Sequence, residues 1–171
     1  LQAKDYVVQG DISSQFITGF MFVLPLLGQD STLTITEPYE SKSYVNLTIQ
    51  MLAKFGIEII ETSSNSYLIK GNQHYKAQDV SVEGDFSQLA FFAVLGTLNN
   101  TLSCSNMDMS SKQGDKAILD CIPSFTSDKD TITFTKKQPA PQTIDLSNCP
   151  DLGPILCVLA SFTNGETNIV N

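Results

Sequence analysis

At Gly10-Asp11-Ile12-Ser13-Ser14-Gln15-Phe16 the chain passes from a short β-rich run, residues 5–9, to a largely apolar stretch, residues 17–27. This order predicts a strand, a turn and then a buried core helix whose first turn carries small hydroxyl and amide side chains. Backbone N–H groups at a helix start lack intrahelical partners and lie at the positive end of the helix dipole. Such a start suits a phosphate or carboxylate, although Ser13 or Ser14 acting only as a helix cap explains the same residues.

The same pattern recurs twice along the chain. Gly84-Asp85-Phe86-Ser87 follows a predicted strand at residues 80–82 and begins an apolar helix over residues 86–97. A weaker copy, Ile144-Asp145 and then Cys149-Pro150-Asp151, precedes the apolar residues 152–162. Self-similarity at a long period indicates one supersecondary unit used repeatedly.

The residues between these copies predict the rest of the repeating unit. Residues 31–36 alternate polar and apolar side chains, as a half-buried strand does. A helix from Ser41 has an apolar face and ends at Gly56, and residues 57–70 form a hairpin. A short helix and a second hairpin follow within residues 114–134. The predicted fold class is α/β (α+β), built from repeated βαβαββ units with helices on one face of each sheet.

Composition limits the classes of partner. The 171-residue chain is 42% hydrophobic and 16% charged, which suits one or two globular domains, and its net charge is -8, with no Arg. Nucleic acid is not an expected partner, because neutralising phosphates takes clustered basic residues. No apolar run is long enough to span a bilayer, so no membrane partner is expected either.

The four cysteines lack metal-ligand spacing, and the single histidine, His74, lies in a polar loop where we expect it to be exposed. A zinc site is therefore not expected. We interpret the cysteines as reduced, mostly buried thiols of a cytoplasmic protein. Because neither Leu1 nor Asn171 resembles a natural terminus, we expect a piece of a longer protein.

Four motifs together resemble the EPSP synthase family, the 3-phosphoshikimate 1-carboxyvinyltransferases. They are Ser13-Ser14-Gln15-Phe16, Ser41-Lys42-Ser43-Tyr44, Gly84-Asp85-Phe86-Ser87 and Cys149-Pro150-Asp151-Leu152. The resemblance extends along the whole chain but covers well under half of such an enzyme. It implies two domains of βαβαββ units around a pseudo-threefold axis, with the active site in the cleft between them. Residues 1–82 would then be part of one domain and residues 83–171 part of the other.

The resemblance also implies a reaction and its residues. The family transfers the enolpyruvyl group of phosphoenolpyruvate to the 5-hydroxyl of shikimate 3-phosphate, in aromatic amino-acid (chorismate) biosynthesis and without a redox cofactor. The positions that match its substrate-binding residues are Ser13, Ser14 and Ser41 for the phosphate, Gln15 for both substrates and Tyr44 for the sugar-like ring. Asp151 matches the carboxylate that accepts the proton of the attacking hydroxyl, although alone it would be an ordinary charge in the first turn of a helix.

The remaining polar candidates have plainer interpretations. Asp11 and Asp85 recur before their helices and are interpreted as turn-forming or capping residues. Lys42 is interpreted as a solvated lysine rather than a phosphate ligand. Asp145 has no assigned role.

Two other functions stay open. The sister enolpyruvyl transferase that acts on UDP-N-acetylglucosamine shares the fold and the repeat but typically lacks the first two motifs, and a non-catalytic module could keep the same repeat. The resembled family's N-terminal lysine, its arginines and its Asn-Trp-Arg-x-Lys-Glu-type stretch are absent from these residues. Electrostatic stabilisation is usually the largest catalytic effect, so we expect the 171-residue chain alone to be inactive. With the resemblance, we expect the full-length parent to be a monomer.

Overall fold

Strands and helices alternate along the chain in the computed structural model, which describes residues 1–171. Contacts divide the chain into two units, Leu1–Val80 and Ser81–Asn171. Each unit has its own hydrophobic core. None of the helices has the length and apolar character needed to cross a bilayer.

The first unit is one complete βαβαββ repeat. Its elements are β1 (Asp5–Gln9), α1 (Ser14–Val23) with a 3₁₀ turn (Leu24–Leu26), β2 (Ser31–Thr36), α2 (Lys42–Lys54), β3 (Ile59–Ser63) and β4 (Ser66–Ile69). The sheet order is β1-β2-β4-β3; β1 and β2 are parallel, and β4 is antiparallel to both of its neighbours. This arrangement confirms the predicted unit.

Alternate residues of the central strands face the helices of the first unit, as the two-residue period of a strand requires. Leu33 and Ile35 of β2 are fully buried, as are Tyr67 and Ile69 of β4. The other buried members of the core are Val8, Ile17, Met21, Leu24, Val45, Leu52 and Ile57. Helix α2 ends as predicted, because Gly56 adopts a left-handed φ of 81° just past the helix.

The second unit contains one antiparallel sheet and a separate parallel strand pair. Its elements are α3 (Phe86–Leu98), β5 (Leu102–Cys104), a 3₁₀ turn (Gly114–Ala117) continuing into α4 (Ile118–Cys121), β6 (Phe125–Asp128), β7 (Thr131–Phe134), β8 (Thr143–Asp145), a 3₁₀ turn (Pro150–Leu152) leading into α5 (Gly153–Ser161), and β9 (Asn168–Val170). The sheet order is β5-β7-β6, while β8 pairs only with β9. Helices α3 and α5 share the core with these strands.

The predicted strand at residues 80–82 does not form. The segment has no regular structure, and the side chain of Val82 is 78% exposed. A strand needs a partner, and no strand of the sheet β5-β7-β6 pairs with this segment. Directly after this segment, the Glu83 carboxylate accepts from the Ser111 hydroxyl at 2.9 Å, and the Gly84 N–H donates to the Asn106 carbonyl at 2.7 Å.

Helix α1 is a core helix as predicted, but like the other apolar helices it is buried on one face only. Ile17 and Met21 are fully buried, but Phe16 is 55% exposed and Phe22 is 47% exposed. Helix α3 likewise leaves Phe91 about half exposed. A helix that is apolar all round predicts burial on two sides. In this chain, however, only one side of α1 and one side of α3 is covered by other residues.

All four cysteines are unpaired, but they are not mostly buried. Cys149 is buried, Cys104 and Cys121 are half-buried, and Cys157 on α5 is exposed. Burial raises the pKa of the Cys121 thiol to about 11, with smaller contributions from Cys149 and Asp120. Burial also raises the pKa of the Cys104 and Cys149 thiols.

We expect thiol labelling to separate Cys157 from the other three. The thiolate is the reactive form, and a raised pKa keeps a thiol protonated at neutral pH. In the folded chain at pH 7.5, iodoacetamide should label Cys157 first, whereas Cys121 should become reactive only as the pH approaches 11. Peptide mass spectrometry after timed quenching would measure this order. Labelling of Cys121 before Cys157 at neutral pH would contradict the prediction.

Candidate anion-binding site

Two helices of the first unit begin at the same edge of its sheet. Strands β1 and β2 run parallel and in register, so that Gln9 lies opposite Thr36 at their carboxyl ends. Each strand is followed by a short loop and then by a helix, α1 after β1 and α2 after β2. Ligands of parallel α/β units bind beyond the carboxyl ends of the strands, where the helix N-termini lie. This edge is therefore the candidate site.

The two loops at this edge are in direct contact. The backbone N–H of Glu40 donates to the Gly10 carbonyl at 3.2 Å. A Cβ atom on Gly10 would lie 2.5 Å from the Pro38 oxygen and 2.9 Å from the Tyr39 Cα, and would also overlap the Thr36 oxygen. Only a glycine permits this approach of backbone to backbone. The contact brings the residues at the start of α1 close to those at the start of α2.

Ser13 caps α1, which is one of the two roles that the sequence predicted for it. Its hydroxyl oxygen accepts a hydrogen bond from the Gln15 N–H at 3.2 Å, while its own backbone is extended. Ser14 is the first helical residue and is half-buried, and Gln15 is exposed. The cap is neutral, so it satisfies a backbone donor without placing a negative charge at the positive end of the helix. Asp11 lies in the preceding turn and does not cap the helix.

Ser41 occupies the N-cap position of α2 without capping it. Its side chain makes no capping hydrogen bond, and its φ of 55° is left-handed. Left-handed backbone is unfavourable for a residue with a Cβ, and where it occurs it often marks a functional position. The Ser41 hydroxyl therefore does not stabilise its own helix, and its geometry favours a role in binding.

Tyr44 lies one turn into α2. Its backbone N–H donates to the Ser41 carbonyl at 3.1 Å, and its side chain is half-buried. The structure thus brings together at one sheet edge all five predicted substrate-binding residues, which are Ser13, Ser14, Gln15, Ser41 and Tyr44.

Lys42 is not the solvated lysine that the sequence interpretation describes. Its Nζ donates to Glu61 Oε1 at 2.8 Å and to the Ser64 carbonyl at 2.6 Å, and it lies 5.7 Å from the centroid of the Tyr39 ring. The hydrogen bond to Glu61 raises the pKa of the ammonium group, so it stays charged. The local sequence could not predict these contacts, because Glu61 and Ser64 lie 19 and 22 residues further along the chain.

The corresponding start of α3 has a different character. Asp85 caps this helix as predicted, its carboxylate accepting from the Ser87 N–H at 2.8 Å and from the Ser87 hydroxyl at 2.7 Å. A carboxylate at this position already occupies the positive end of the helix and repels a second anion. The start of α1, capped by neutral Ser13, is the copy that suits a phosphate.

Asp151 lies in the second unit, within the 3₁₀ turn that leads into α5. Its side chain is exposed and takes part in neither of the two salt bridges of the chain. Asp145, by contrast, is occupied: its carboxylate accepts from the Ser147 N–H at 2.9 Å and from the Asn171 amide at 3.1 Å. The backbone hydrogen bond from Ser147 lowers the pKa of Asp145 most. Asp151 is thus the carboxylate of this segment that remains available for a substrate.

Sequence reasoning missed several residues that hold these helix starts in place. Tyr39 and Tyr67 share a hydrogen bond between their hydroxyls at 3.1 Å, although 28 residues separate them. In the second unit, the Gln113 side chain accepts from the Phe86 N–H at 2.9 Å and donates to the Gly84 carbonyl at 2.9 Å. No periodic signal marks such contacts.

No group of three or more His, Cys, Asp or Glu side chains is placed to hold a metal ion. His74 is exposed, as predicted.

Comparison with known proteins places this geometry in a family. Residues 1–171 match the family model described as EPSP synthase (3-phosphoshikimate 1-carboxyvinyltransferase). The chain is 45% identical to the 3-phosphoshikimate 1-carboxyvinyltransferase of Clostridium kluyveri over 175 residues and 47% identical to that of Clostridium acetobutylicum over 173 residues. All of the chain is covered in both cases, with 41% and 40% of the respective relatives. The chain therefore spans about two fifths of the length of these proteins.

Solved structures agree on the fold. The enolpyruvyl transferase NikO from Streptomyces tendae superposes with a TM-score of 0.77 at 16% identity, covering 100% of this chain and 45% of that one. The EPSP synthase from Acinetobacter baumannii superposes with a TM-score of 0.74 at 16% identity, covering 99% of this chain and 41% of that one. These likenesses show that the chain has the enolpyruvyl transferase fold.

Proposed function

Because the chain belongs to the EPSP synthase family, we propose that it forms part of an enzyme that transfers the enolpyruvyl group of phosphoenolpyruvate to the 5-hydroxyl of shikimate 3-phosphate. We call the polypeptide of family length that would contain this chain the full-length enzyme. In this proposal residues 1–82 and 83–171 belong to different domains of that enzyme. The family match favours this reaction over the sister reaction on UDP-N-acetylglucosamine.

The observation that carries the proposal is the joined pair of helix starts in the first unit. The Gly10 carbonyl accepts from the Glu40 N–H, so the loops that lead into α1 and α2 are in contact, and this contact supports one site built from both helix starts. Helix N-termini and serine hydroxyls supply neutral donors to a phosphate, and here Ser14 and Ser41 supply the hydroxyls. Gln15 adds an exposed amide, and Tyr44 adds a half-buried aromatic residue one turn into α2.

Asp151 is proposed as the general base. A hydroxyl that attacks phosphoenolpyruvate must lose its proton, and a carboxylate within hydrogen-bond reach can accept it. The Asp151 side chain is exposed and does not take part in a salt bridge, so it is accessible to a substrate. A carboxylate already occupied by its own loop, as Asp145 is, suits this role less well.

The 171-residue chain alone is proposed to have no turnover. It contains no Arg, and Lys42, the lysine next to Ser41, is paired with Glu61. The loops at the candidate site also carry the acidic residues Asp11, Glu37 and Glu40. Because charge stabilisation is usually the largest catalytic effect, cations from the rest of the full-length enzyme are needed. In the same proposal the enzyme is a cytoplasmic monomer that requires no redox cofactor.

Titration calorimetry of shikimate 3-phosphate into the full-length enzyme tests the site. We expect Ser14→Ala and Gln15→Ala each to weaken binding about 10- to 150-fold, since a hydrogen bond to a charged group contributes about 1.5–3 kcal/mol. The matched control is Ser87→Ala in the second copy of the motif, whose hydroxyl donates to Asp85. It should leave the affinity unchanged.

Two outcomes would count against the proposal. Equal affinity in wild type, Ser14→Ala and Gln15→Ala would remove the start of α1 from the binding site. A wild-type enzyme that binds no shikimate 3-phosphate and forms no product with phosphoenolpyruvate would instead favour the non-catalytic module.

A further inference from the structure

We propose that the hairpin β3–β4 positions Ser41, through two side-chain contacts that hold the residues on either side of it. One contact joins Tyr67 to Tyr39 and the other joins Glu61 to Lys42. The inference rests on the proposed function in one respect: it assigns the positioned Ser41 hydroxyl to the phosphate of shikimate 3-phosphate. Tyr67 and Glu61 are positioning residues and do not touch the substrate.

The first contact fixes the chain before Ser41. Tyr67 lies on β4 in the middle of the sheet and is fully buried, so its ring cannot move without disturbing the core. Its hydroxyl shares a hydrogen bond of 3.1 Å with the hydroxyl of Tyr39, which lies two residues before Ser41. Burial, and then this hydrogen bond, raise the pKa of the Tyr39 hydroxyl, so the pair stays neutral and intact over the physiological pH range.

The second contact fixes the chain after Ser41. The ammonium group of Lys42 donates to Glu61 Oε1 on β3 at 2.8 Å and to the Ser64 carbonyl in the hairpin turn at 2.6 Å. It also lies 5.7 Å from the centroid of the Tyr39 ring, close enough for a cation–π interaction. The two contacts therefore meet, and they hold the chain on both sides of Ser41.

The backbone of Ser41 explains why two contacts are needed. A left-handed φ of 55° costs a non-glycine residue free energy and persists only where the surroundings determine it. No capping hydrogen bond from the Ser41 side chain contributes to holding it there. Release of Tyr39 and Lys42 would let Ser41 relax to the right-handed or extended regions, and its hydroxyl would then leave the edge shared with α1.

The test uses Tyr67→Phe, Glu61→Ala and the double variant in the full-length enzyme. We expect the KM for shikimate 3-phosphate to rise about fivefold in Tyr67→Phe, about twofold in Glu61→Ala and about tenfold or more in the double variant. The KM for phosphoenolpyruvate and kcat should stay within about twofold, because a phosphate contact made equally in ground and transition states changes only KM. Glu61→Gln keeps an acceptor for Lys42 and should restore most of the loss.

A matched control separates positioning from general destabilisation. Ser124 and Thr135 share a hydroxyl hydrogen bond of 2.9 Å in the second unit, so Ser124→Ala removes a comparable interaction elsewhere. We expect it to change the melting temperature about as much as Tyr67→Phe while leaving both KM values unchanged. An unchanged KM for shikimate 3-phosphate in the double variant would overturn the inference, as would an equal rise in Ser124→Ala.

A second measurement tests the positioning apart from catalysis. The ¹³Cα and ¹³Cβ chemical shifts of Ser41 in enzyme labelled with ¹³C-serine report its φ and ψ. We expect left-handed values in wild type and a shift toward right-handed or extended values in the double variant. Left-handed values in both proteins would overturn the inference. If the double variant shows this change but the wild-type enzyme has no turnover, the proposed function is overturned and the positioning of Ser41 is established.

Discussion

Replacing Asp151 by asparagine in the full-length enzyme is expected to lower kcat by about 100- to 10,000-fold, the usual contribution of a general base. The amide has the shape of the carboxylate but cannot accept the proton of the attacking hydroxyl. Asp151 is exposed and takes part in neither salt bridge, so the fold should tolerate the change. Steady-state release of phosphate would measure kcat, and the two KM values should change little.

Asp145→Asn is the matched control for this substitution. Asp145 is an exposed acid of the same segment, but hydrogen bonds from Ser147 and Asn171 occupy its carboxylate. Those hydrogen bonds lower its pKa, so its contribution to stability is present above its unfolded pKa and is lost as the pH falls through the lower folded value. The control should therefore affect acid stability and leave kcat unchanged. Comparable losses of kcat in both variants would remove the specific role of Asp151.

Replacing Gly10 by alanine is expected to have the largest effect on the first unit. The new Cβ would overlap backbone atoms of Thr36, Pro38 and Tyr39, and backbone cannot move aside as a flexible side chain can. Overpacking of this kind costs about 3 kcal/mol, and separation of the two loops should also weaken binding of shikimate 3-phosphate by more than about tenfold. Chemical denaturation and titration calorimetry would measure the two effects.

Gly19→Ala provides the contrast. A Cβ at Gly19, on the exposed side of α1, would meet nothing within 4 Å. Alanine is favoured over glycine inside a helix by about 0.5–1 kcal/mol, so this variant should be slightly more stable and bind normally. Equal behaviour of Gly10→Ala and Gly19→Ala would show that the contact between the loops is unimportant.

The elements that sequence predicted correctly are those with local signals. The alternation in β2 and the glycine after α2 both act within a few residues, and both predictions are confirmed. The prediction of a strand at residues 80–82 is wrong because alternating Val-Ser-Val describes only a side-chain pattern. A strand also needs a neighbouring strand to pair with. The predicted burial of α1 is confirmed for one face only, since an apolar sequence predicts that a face will be covered without saying which chain segment covers it.

The candidate site was predictable in part. Small polar residues at the starts of α1 and α2 indicate an anion site, and the parallel pairing of β1 and β2 brings those starts together. The conformation of Ser41 was not predictable, because a left-handed serine depends on residues far along the chain. The hydrogen bond between Tyr39 and Tyr67 is such a dependence, since neither residue belongs to a recognisable motif.

The register of β1 and β2 has an evolutionary consequence. Both strands end at the same level, with Gln9 opposite Thr36, and each is followed directly by a loop of the candidate site. Inserting or deleting one residue in either strand would turn its buried side chains outward and move one helix start relative to the other. Insertions and deletions among homologues should therefore accumulate in connections such as the one between α1 and β2. The lengths of β1 and β2 should stay constant.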